Sequence, residues 1–189
     1  MRENGRTLLA LINDVLDLAK IEAGQLTLAR EDYDMESLVH EVAGMMEPLA
    51  RAKGLSLIPM AANQMPAGHG DMPRLRQVLV NLVGNAIKFT DSGKVELSAT
   101  AADGRFRITV SDTGPGIASE DQARIFEEFQ QVDNSNTRRK GGSGLGLAIS
   151  RRIVTMHGGT LSVVSAAGLG ATFHMDIPVR TSELAGATP

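Results

Sequence analysis

Along this chain, apolar residues recur at helical spacing in some stretches and alternate with polar ones in others, with glycines at the changeovers. The chain opens inside a helix. Leu8, Ile12, Val15 and Ala19 follow in steps of four and three, the seam of a helical hairpin or coiled coil. Leu9, Leu11, Leu16 and Leu18 widen the surface beyond one stripe, so this helix needs more than one neighbour, and a four-helix bundle completed by a second chain would supply them. Gly24 stops it. Residues 25–30 read as a short strand, and Asp34 can cap a helix that runs to Lys53 and closes at Gly54. Residues 55–60 form a strand and 61–70 a loop. Asp71 as N-cap, with Pro73 in the first turn, predicts a helix to Phe89. Residues 94–100 and 105–111 make a hairpin around Asp103-Gly104. A short helix over 119–128 and a polar stretch precede a helix over 145–157, which Gly158-Gly159 closes. Residues 160–165 and 171–178 form a last hairpin around Gly168 and Gly170. This order predicts an α+β fold, a two-layer α/β sandwich with a mixed, mostly antiparallel sheet, preceded by one long bundle helix. The expected division is 1–24 for the bundle helix, 25–180 for the sandwich, and 181–189 for a disordered tail or linker.

Composition narrows the class. Hydrophobic residues make up 42% and aromatic ones 3%, so the core is aliphatic, with nine methionines to draw on. A net charge of −3 and a pI near 5.8 argue against a nucleic-acid or anionic-membrane partner. The lack of cysteine excludes a disulfide framework and a thiolate zinc site, and it suits a reducing compartment. No apolar run approaches the roughly 18 residues that span a bilayer, and no signal peptide is expected before the first helix. The expectation is a cytoplasmic location, with membrane attachment only through segments outside this sequence.

Three stretches carry candidate chemistry. Asn81-Leu82-Val83-Gly84-Asn85-Ala86-Ile87-Lys88 lies on the predicted helix ending at Phe89. Leu75, Leu79, Leu82 and Ala86 mark its buried face, and Asn81, Asn85 and Lys88 share a neighbouring one. Mg²⁺ takes hard oxygen ligands and keeps several waters at phosphate sites, so one amide oxygen from Asn85 would satisfy it together with phosphate. Lys88 would meet phosphate as a point charge. From this segment alone, an exposed polar helix face is the favoured reading. Asp112 closes a predicted strand just before Thr113-Gly114-Pro115-Gly116-Ile117. Its carboxylate accepts hydrogen bonds only, so it can receive the exocyclic amine of adenine and would repel the carbonyl of guanine. The glycines admit close backbone approach, although Asp-x-Gly turns are also common for local reasons. Finally, Gly142-Ser143-Gly144-Leu145-Gly146-Leu147 leads into a helix, whose unpaired N–H groups and positive dipole end suit an anion. Its spacing matches neither a Walker loop nor Gly-x-Gly-x-x-Gly. A hinge is the plain alternative.

In this order, the asparagine helix and the two glycine loops resemble the ATP-binding catalytic domain of sensor histidine kinases, members of the gyrase, chaperone and mismatch-repair superfamily. The resemblance covers about Leu26 to Val179. Phe126-Glu127-Glu128-Phe129 resembles the phenylalanine box, the polar run through Arg138-Arg139-Lys140 the ATP lid, and Gly170-Ala171-Thr172-Phe173 the last family element. The resemblance implies ATP and Mg²⁺ as cofactors, with Asn85 on the metal and Asn81, Lys88, Arg138 and Arg139 serving transfer. It also implies nucleotide contacts from Asn81, Asn85, Lys88, Phe89, Asp112, Gly114, Gly116, Ile117, Phe126, Phe129, Gly142, Gly144, Leu145, Gly146, Leu147 and Thr172. Phe126 and Phe129 would anchor the lid.

The opening helix resembles the second helix of the dimerisation domain. The implied partners are a histidine-bearing dimerisation helix, in the same or a partner chain of a homodimer, and a response-regulator receiver domain. His40, His69, His157 and His174 all lack the His-Glu-x-x-x-Pro setting of an acceptor, so the chain is expected to be a fragment that binds ATP without phosphorylating itself. Two other readings stand beside this one. A superfamily ATPase would carry a water-activating glutamate where Asn81 stands, and an amide is a poor base near neutral pH. A non-catalytic signalling scaffold needs only the shell of the pocket.

Overall fold

Two aspartates start the helices that organise the sandwich. The computed structural model describes residues 2–130 and 143–180, with side chains from Leu11 onward. Asp34 Oδ1 accepts from the N–H groups of Glu36 (2.8 Å) and Ser37 (3.2 Å), and Asp71 Oδ1 accepts from that of Arg74 at 3.0 Å. In chain order the elements are α1 (Arg2–Glu22), β1 (Glu31–Tyr33), α2 (Met35–Ala52), β2 (Ser56–Ala61), β3 (Gly68–Gly70) and α3 (Met72–Phe89). There follow β4 (Lys94–Ala102), β5 (Arg105–Asp112), a 3₁₀ turn (Arg124–Phe126), α4 (Gly146–Met156), β6 (Thr160–Ser165) and β7 (Ala171–Pro178). Five strands form one sheet in the order β2-β4-β5-β7-β6, with β2 and β4 parallel and the other pairs antiparallel. This is the mixed, mostly antiparallel α+β sandwich that the pattern predicts.

Strand alternation supplies the core. Val95, Leu97 and Ala99 of β4, Phe106, Ile108 and Val110 of β5, and Phe173, Met175 and Ile177 of β7 are buried. Leu38 and Val42 of α2, Leu75, Leu79 and Leu82 of α3, and Ile149 and Ile153 of α4 complete the same cluster. Asp103 and Gly104 both have positive φ (54° and 72°), as the tight β4–β5 hairpin requires.

Three local expectations fail. Residues 25–30 form no strand: the N–H groups of Gln25 and Leu26 bond to Lys20 O and that of Ala29 to Asp71 Oδ2, so this backbone is satisfied without a ladder. The pairing strand is β1, and its partner β3 lies inside the predicted loop over 61–70. Gly68 of β3 lies flat on the Tyr33 ring, where a Cβ would come within 2.8 Å of Cε1. The helix over 119–128 shrinks to the 3₁₀ turn, after which Glu127 is extended and Phe129 is left-handed (φ 59°).

α1 packs on α4 through a different stripe from its predicted seam. Ile21 is buried and Leu11 and Leu18 are half-buried, while Ile12, Val15 and Leu16 stay about half exposed. Polar contacts hold it: Asp17 Oδ2 accepts from Arg74 Nη1 at 2.7 Å and Gln77 Nε2 at 2.9 Å. Ser143 Oγ donates to Asp14 Oδ2 at 3.2 Å. Among the described residues no helix is long and apolar enough to cross a membrane.

A buried histidine ties the two site helices together. His157 Nδ1 donates to Ile153 O at 2.8 Å, and its Nε2 accepts from Asp71 N at 3.1 Å, which requires the neutral ring. Burial is the main cause that pushes its pKa below the usual 6.5. The folded state therefore binds this proton less readily than the unfolded chain. The resulting stability is fully present above about pH 6.5 and is lost as pH falls from there toward the depressed value. His157→Phe should flatten that part of the pH–stability profile, and the unpaired Asp71 N–H should cost about 1–3 kcal/mol at pH 8. Denaturant melts between pH 5 and 8 would show both effects.

Candidate nucleotide site

Asp112 ends β5 with its carboxyl half-buried between two turns. Oδ1 accepts from Gly114 N at 2.8 Å and Ala171 N at 3.4 Å. Burial is the main cause that raises its pKa, opposed by the two backbone N–H groups and by the Thr90 hydroxyl. Thr90 Oγ1 is fully buried and makes no hydrogen bond of normal geometry. A buried hydroxyl in that state needs an external explanation. At Gly114, a Cβ would lie 2.8 Å from Asp112 Oδ1 and 3.2 Å from Thr90 Oγ1. The niche therefore combines an acceptor-only carboxylate, a buried hydroxyl beside it and bare backbone, which fits a flat ligand that donates a hydrogen bond.

The β6–β7 turn holds the following loop in place. Gly168 N donates to Pro115 O at 2.6 Å, Ile117 N to Ser165 Oγ at 2.8 Å, and Ser165 Oγ to Gly170 O at 2.6 Å. Gln122 Nε2 bridges Ile117 O at 3.1 Å and Ser165 O at 2.7 Å. Gly116 takes φ +72° with its Cα facing the carbonyl of Ala166, leaving no room for a side chain.

On α3, the two asparagines interlock. Asn81 Nδ2 donates to Ser150 Oγ of α4 at 2.9 Å, and Asn85 Nδ2 donates weakly to Asn81 Oδ1 at 3.4 Å. Oriented by this network, Asn85 keeps its amide oxygen as an acceptor. Gly146, in the first turn of α4, lies against the Asn81 amide, where a Cβ would sit 3.0 Å from Cγ and closer still to Oδ1. Lys88 Nζ lies 4.9 Å from the centre of the Phe89 ring, and burial lowers its pKa.

No side chain caps α4 at Leu145, which is buried, while Leu145 N donates to Ser143 Oγ at 3.2 Å. Gly144 (φ +71°) packs its Cα on the backbone of Phe129 and Gln130, and Phe129 N donates to its carbonyl at 3.1 Å. Leu147 packs partly buried against the core.

Phe126 stacks edge-on against Phe173 with centroids 6.3 Å apart and carries the Arg151 guanidinium 5.4 Å from its ring centre. Phe129 is 66% exposed, so only its backbone ties down this corner. Thr172 Oγ1 pairs with Ser111 Oγ at 3.0 Å, and strand alternation sets both on the opposite side of the sheet from Val110 and Phe173. The structure therefore does not bring Thr172 beside the Asp112 carboxyl. Arg138, Arg139 and Gly142 lie outside the described residues. A cavity of about 550 Å³ opens elsewhere, between α1, the 3₁₀ turn and α4, and Asn81, Asn85 and Asp112 do not line it. The supporting residues Thr90, Ser150 and Ser165 belong to no motif in the sequence.

Comparison with known proteins agrees with this geometry. The family described as histidine kinase-, DNA gyrase B-, and HSP90-like ATPase matches residues 70–181. The chain is 42% identical to the sensor histidine kinase AruS of Pseudomonas aeruginosa over 98% of its own length and 19% of that protein's. It is 39% identical to the circadian input-output histidine kinase CikA of Synechococcus elongatus over 96% of its length and 24% of that protein's. It thus spans about a fifth to a quarter of such relatives. Among solved structures, full-length ShkA in complex with AMPPNP superposes with a TM-score of 0.86 at 43% identity, over 96% of this chain and 38% of that one. Histidine kinase ThkA in complex with the response regulator TrrA gives 0.73 at 26% identity, over 94% and 48%.

Proposed function

The chain belongs to the histidine kinase-, DNA gyrase B- and HSP90-like ATPases, as an ATP-binding catalytic domain of the sensor histidine kinase type, and on that premise we propose that it presents Mg-bound ATP for transfer of the γ-phosphoryl group to a histidine outside this stretch, for relay to a response regulator. The Asp112 niche carries the reading. Oδ1 is held by two backbone N–H groups, so Oδ2 can accept from the adenine amine while Thr90 and bare Gly114 line the ring's edge. Gly116 and Ile117 continue that wall, and Phe89 borders it from the end of α3.

Asn85 offers its amide oxygen to Mg²⁺. Among the described residues no cluster of three His, Cys, Asp or Glu could hold a cation alone, so phosphate oxygens and water would complete the shell. When bound, the ion neutralises charge that develops on the transferring phosphoryl group. Lys88 and the N–H groups at Gly146 and Leu147 face the phosphates, with Gly142, Gly144, Leu145, Arg138 and Arg139 as the further contributors that the sequence motif suggests. Thr172 acts through Ser111 and the β5–β7 pairing. Asn81 positions Asn85 and α4, and an amide so engaged gives water no base, which favours transfer over hydrolysis.

The histidines of this stretch support an outside acceptor. His157 is buried and neutral, His69 Nδ1 pairs with Asp32 Oδ1 at 2.9 Å, and His174 Nδ1 lies 3.4 Å from Thr109 Oγ1 on the sheet's polar face. His40, exposed on α2, has no His-Glu-x-x-x-Pro setting. Residues 1–24 serve as a dimerisation helix whose exposed Ile12, Val15 and Leu16 pack on a second copy, and 25–180 bind nucleotide. The ThkA–TrrA complex supports a receiver domain as the next partner.

Calorimetric titration tests the core of this reading. ATP should bind more tightly with Mg²⁺ than with EDTA, and Asn85→Ala should remove about 10- to 100-fold of metal-dependent affinity while leaving Mg-free ADP binding unchanged. Sustained heat from hydrolysis by the unmutated chain would sink the kinase assignment in favour of an ATPase.

A further inference from the structure

α3 ends in an unusual way. α1, α2 and α4 are each followed by a left-handed glycine, Gly24, Gly54 and Gly158 (φ +65°, +69° and +73°). α3 instead passes into extended backbone at Thr90 (φ −80°, ψ 125°), whose N–H closes on Ala86 O. Helix ends leave their last carbonyls without intrahelical partners, and a left-handed glycine normally helps to satisfy them. Here a side chain from another helix does so. Lys53, the C-cap of α2, directs its Nζ to Ile87 O (2.8 Å), Lys88 O (3.0 Å) and Thr90 O (2.7 Å). An ammonium has three donors, and all three are used. The Asp91 carboxylate lies 3.9 Å away. The charge sits at the negative end of the α3 dipole, where it is favoured.

The segment held this way is one wall of the nucleotide niche. Phe89 O and Thr90 Oγ1 stand 3.5 and 3.2 Å from where a Gly114 Cβ would be, so a small shift of the α3 terminus alters the gap facing Asp112. We infer that Lys53 is a positioning residue for adenine-nucleotide binding, fixing the end of α3 and with it Thr90 and Phe89 against the Asp112 loop. The inference rests on the nucleotide reading above. It predicts an effect on the adenine end of the ligand, independent of the metal.

The test compares Lys53→Met, which keeps the aliphatic stem, and Lys53→Arg with Leu161→Ala, a core substitution at the end of β6 away from Ser165. Affinities for ATP and ADP are measured with Mg²⁺ and with EDTA, well below each variant's melting temperature, and amide NMR shifts report on residues 87–90 and 112–114. Lys53→Met should weaken ATP and ADP by a common factor of about ten with or without Mg²⁺, as the loss of charge-assisted bonds implies. Its amide shifts should change at both segments, Lys53→Arg should recover part of the affinity, and Leu161→Ala should bind normally. Unchanged affinity in Lys53→Met, or an equal loss in Leu161→Ala, would overturn the inference alone. Failure of the unmutated chain to bind ATP would overturn the nucleotide reading together with it.

Discussion

Asp112→Asn should bind ATP about 100-fold more weakly than the unmutated chain yet be no less stable at pH 7. The two effects separate because the carboxyl does two jobs with two oxygens. Oδ1 anchors the turn through Gly114 N and Ala171 N, and an asparagine oxygen can still accept both bonds. At the other position an NH₂ would replace the acceptor and confront the adenine amine donor to donor. Stability points the other way. Because burial raises the Asp112 pKa above 3.8, the folded state holds this proton more tightly than the unfolded chain. Ionised Asp112 therefore opposes folding above its raised pKa, and that penalty is relieved as pH falls toward 3.8. Removing the charge should be neutral or stabilising at pH 7. Nucleotide affinity of the unmutated chain should decline as pH falls through the raised pKa, since a protonated carboxyl loses its acceptor-only character. The asparagine variant should lose that pH dependence, and its preference for ATP over GTP should shrink. Calorimetry and denaturant melts carried from pH 8 down toward 3.8 read all of this. A variant that binds ATP normally but melts early would make Asp112 a turn residue and nothing more.

What the sequence revealed about this site follows from the range of each interaction. Asp34 and Asp71 as caps, Asp103-Gly104 as a turn, and the glycines closing three helices act within a few residues, so they are legible locally. The motif residues are legible because chemistry restricts their type: Asn85 for a neutral oxygen, Asp112 for an acceptor, Gly114 and Gly146 for space. Their supports are invisible for the opposite reason. Lys53 reaches Thr90 across 37 positions, and Asn81 reaches Ser150 across 69; only folding brings these partners together. β3 leaves no local signal because Gly-His-Gly has little strand propensity, and its place is set by the Tyr33 ring. Residues 25–30 misled because side-chain and helix-end bonds satisfied a backbone that looked ready for a sheet. Thr172 shows a further limit, since a motif names a residue without saying which face of the strand it occupies.

Gly170→Ala should be among the most damaging single-methyl additions in the described chain. The glycine has φ +80°, and its Cβ would overlap the carbonyl oxygen of Asp112, with the carbonyl carbon 3.0 Å and Thr113 Cα 3.2 Å away. All three obstacles are backbone, so no rotamer change can relieve the overlap. The strand end and the β6–β7 turn must move apart. That movement breaks a linked set of bonds: Ala171 N to Asp112 Oδ1, Ser165 Oγ to Gly170 O, and through Ser165 the bond from Ile117 N. Stability should fall by about 3 kcal/mol or more, and ATP affinity should fall with it because the Asp112 carboxyl loses its orientation. Gly168→Ala supplies the control. It has nearly the same dihedral, φ +81°, but its Cβ would meet nothing within 4 Å. It should cost only the left-handed penalty of about 1–2 kcal/mol and leave affinity unchanged. Melting curves and ATP titrations on the pair isolate close approach from dihedral strain. Equal losses in the two variants would show that φ alone matters here and that the Gly170–Asp112 contact does not organise the site.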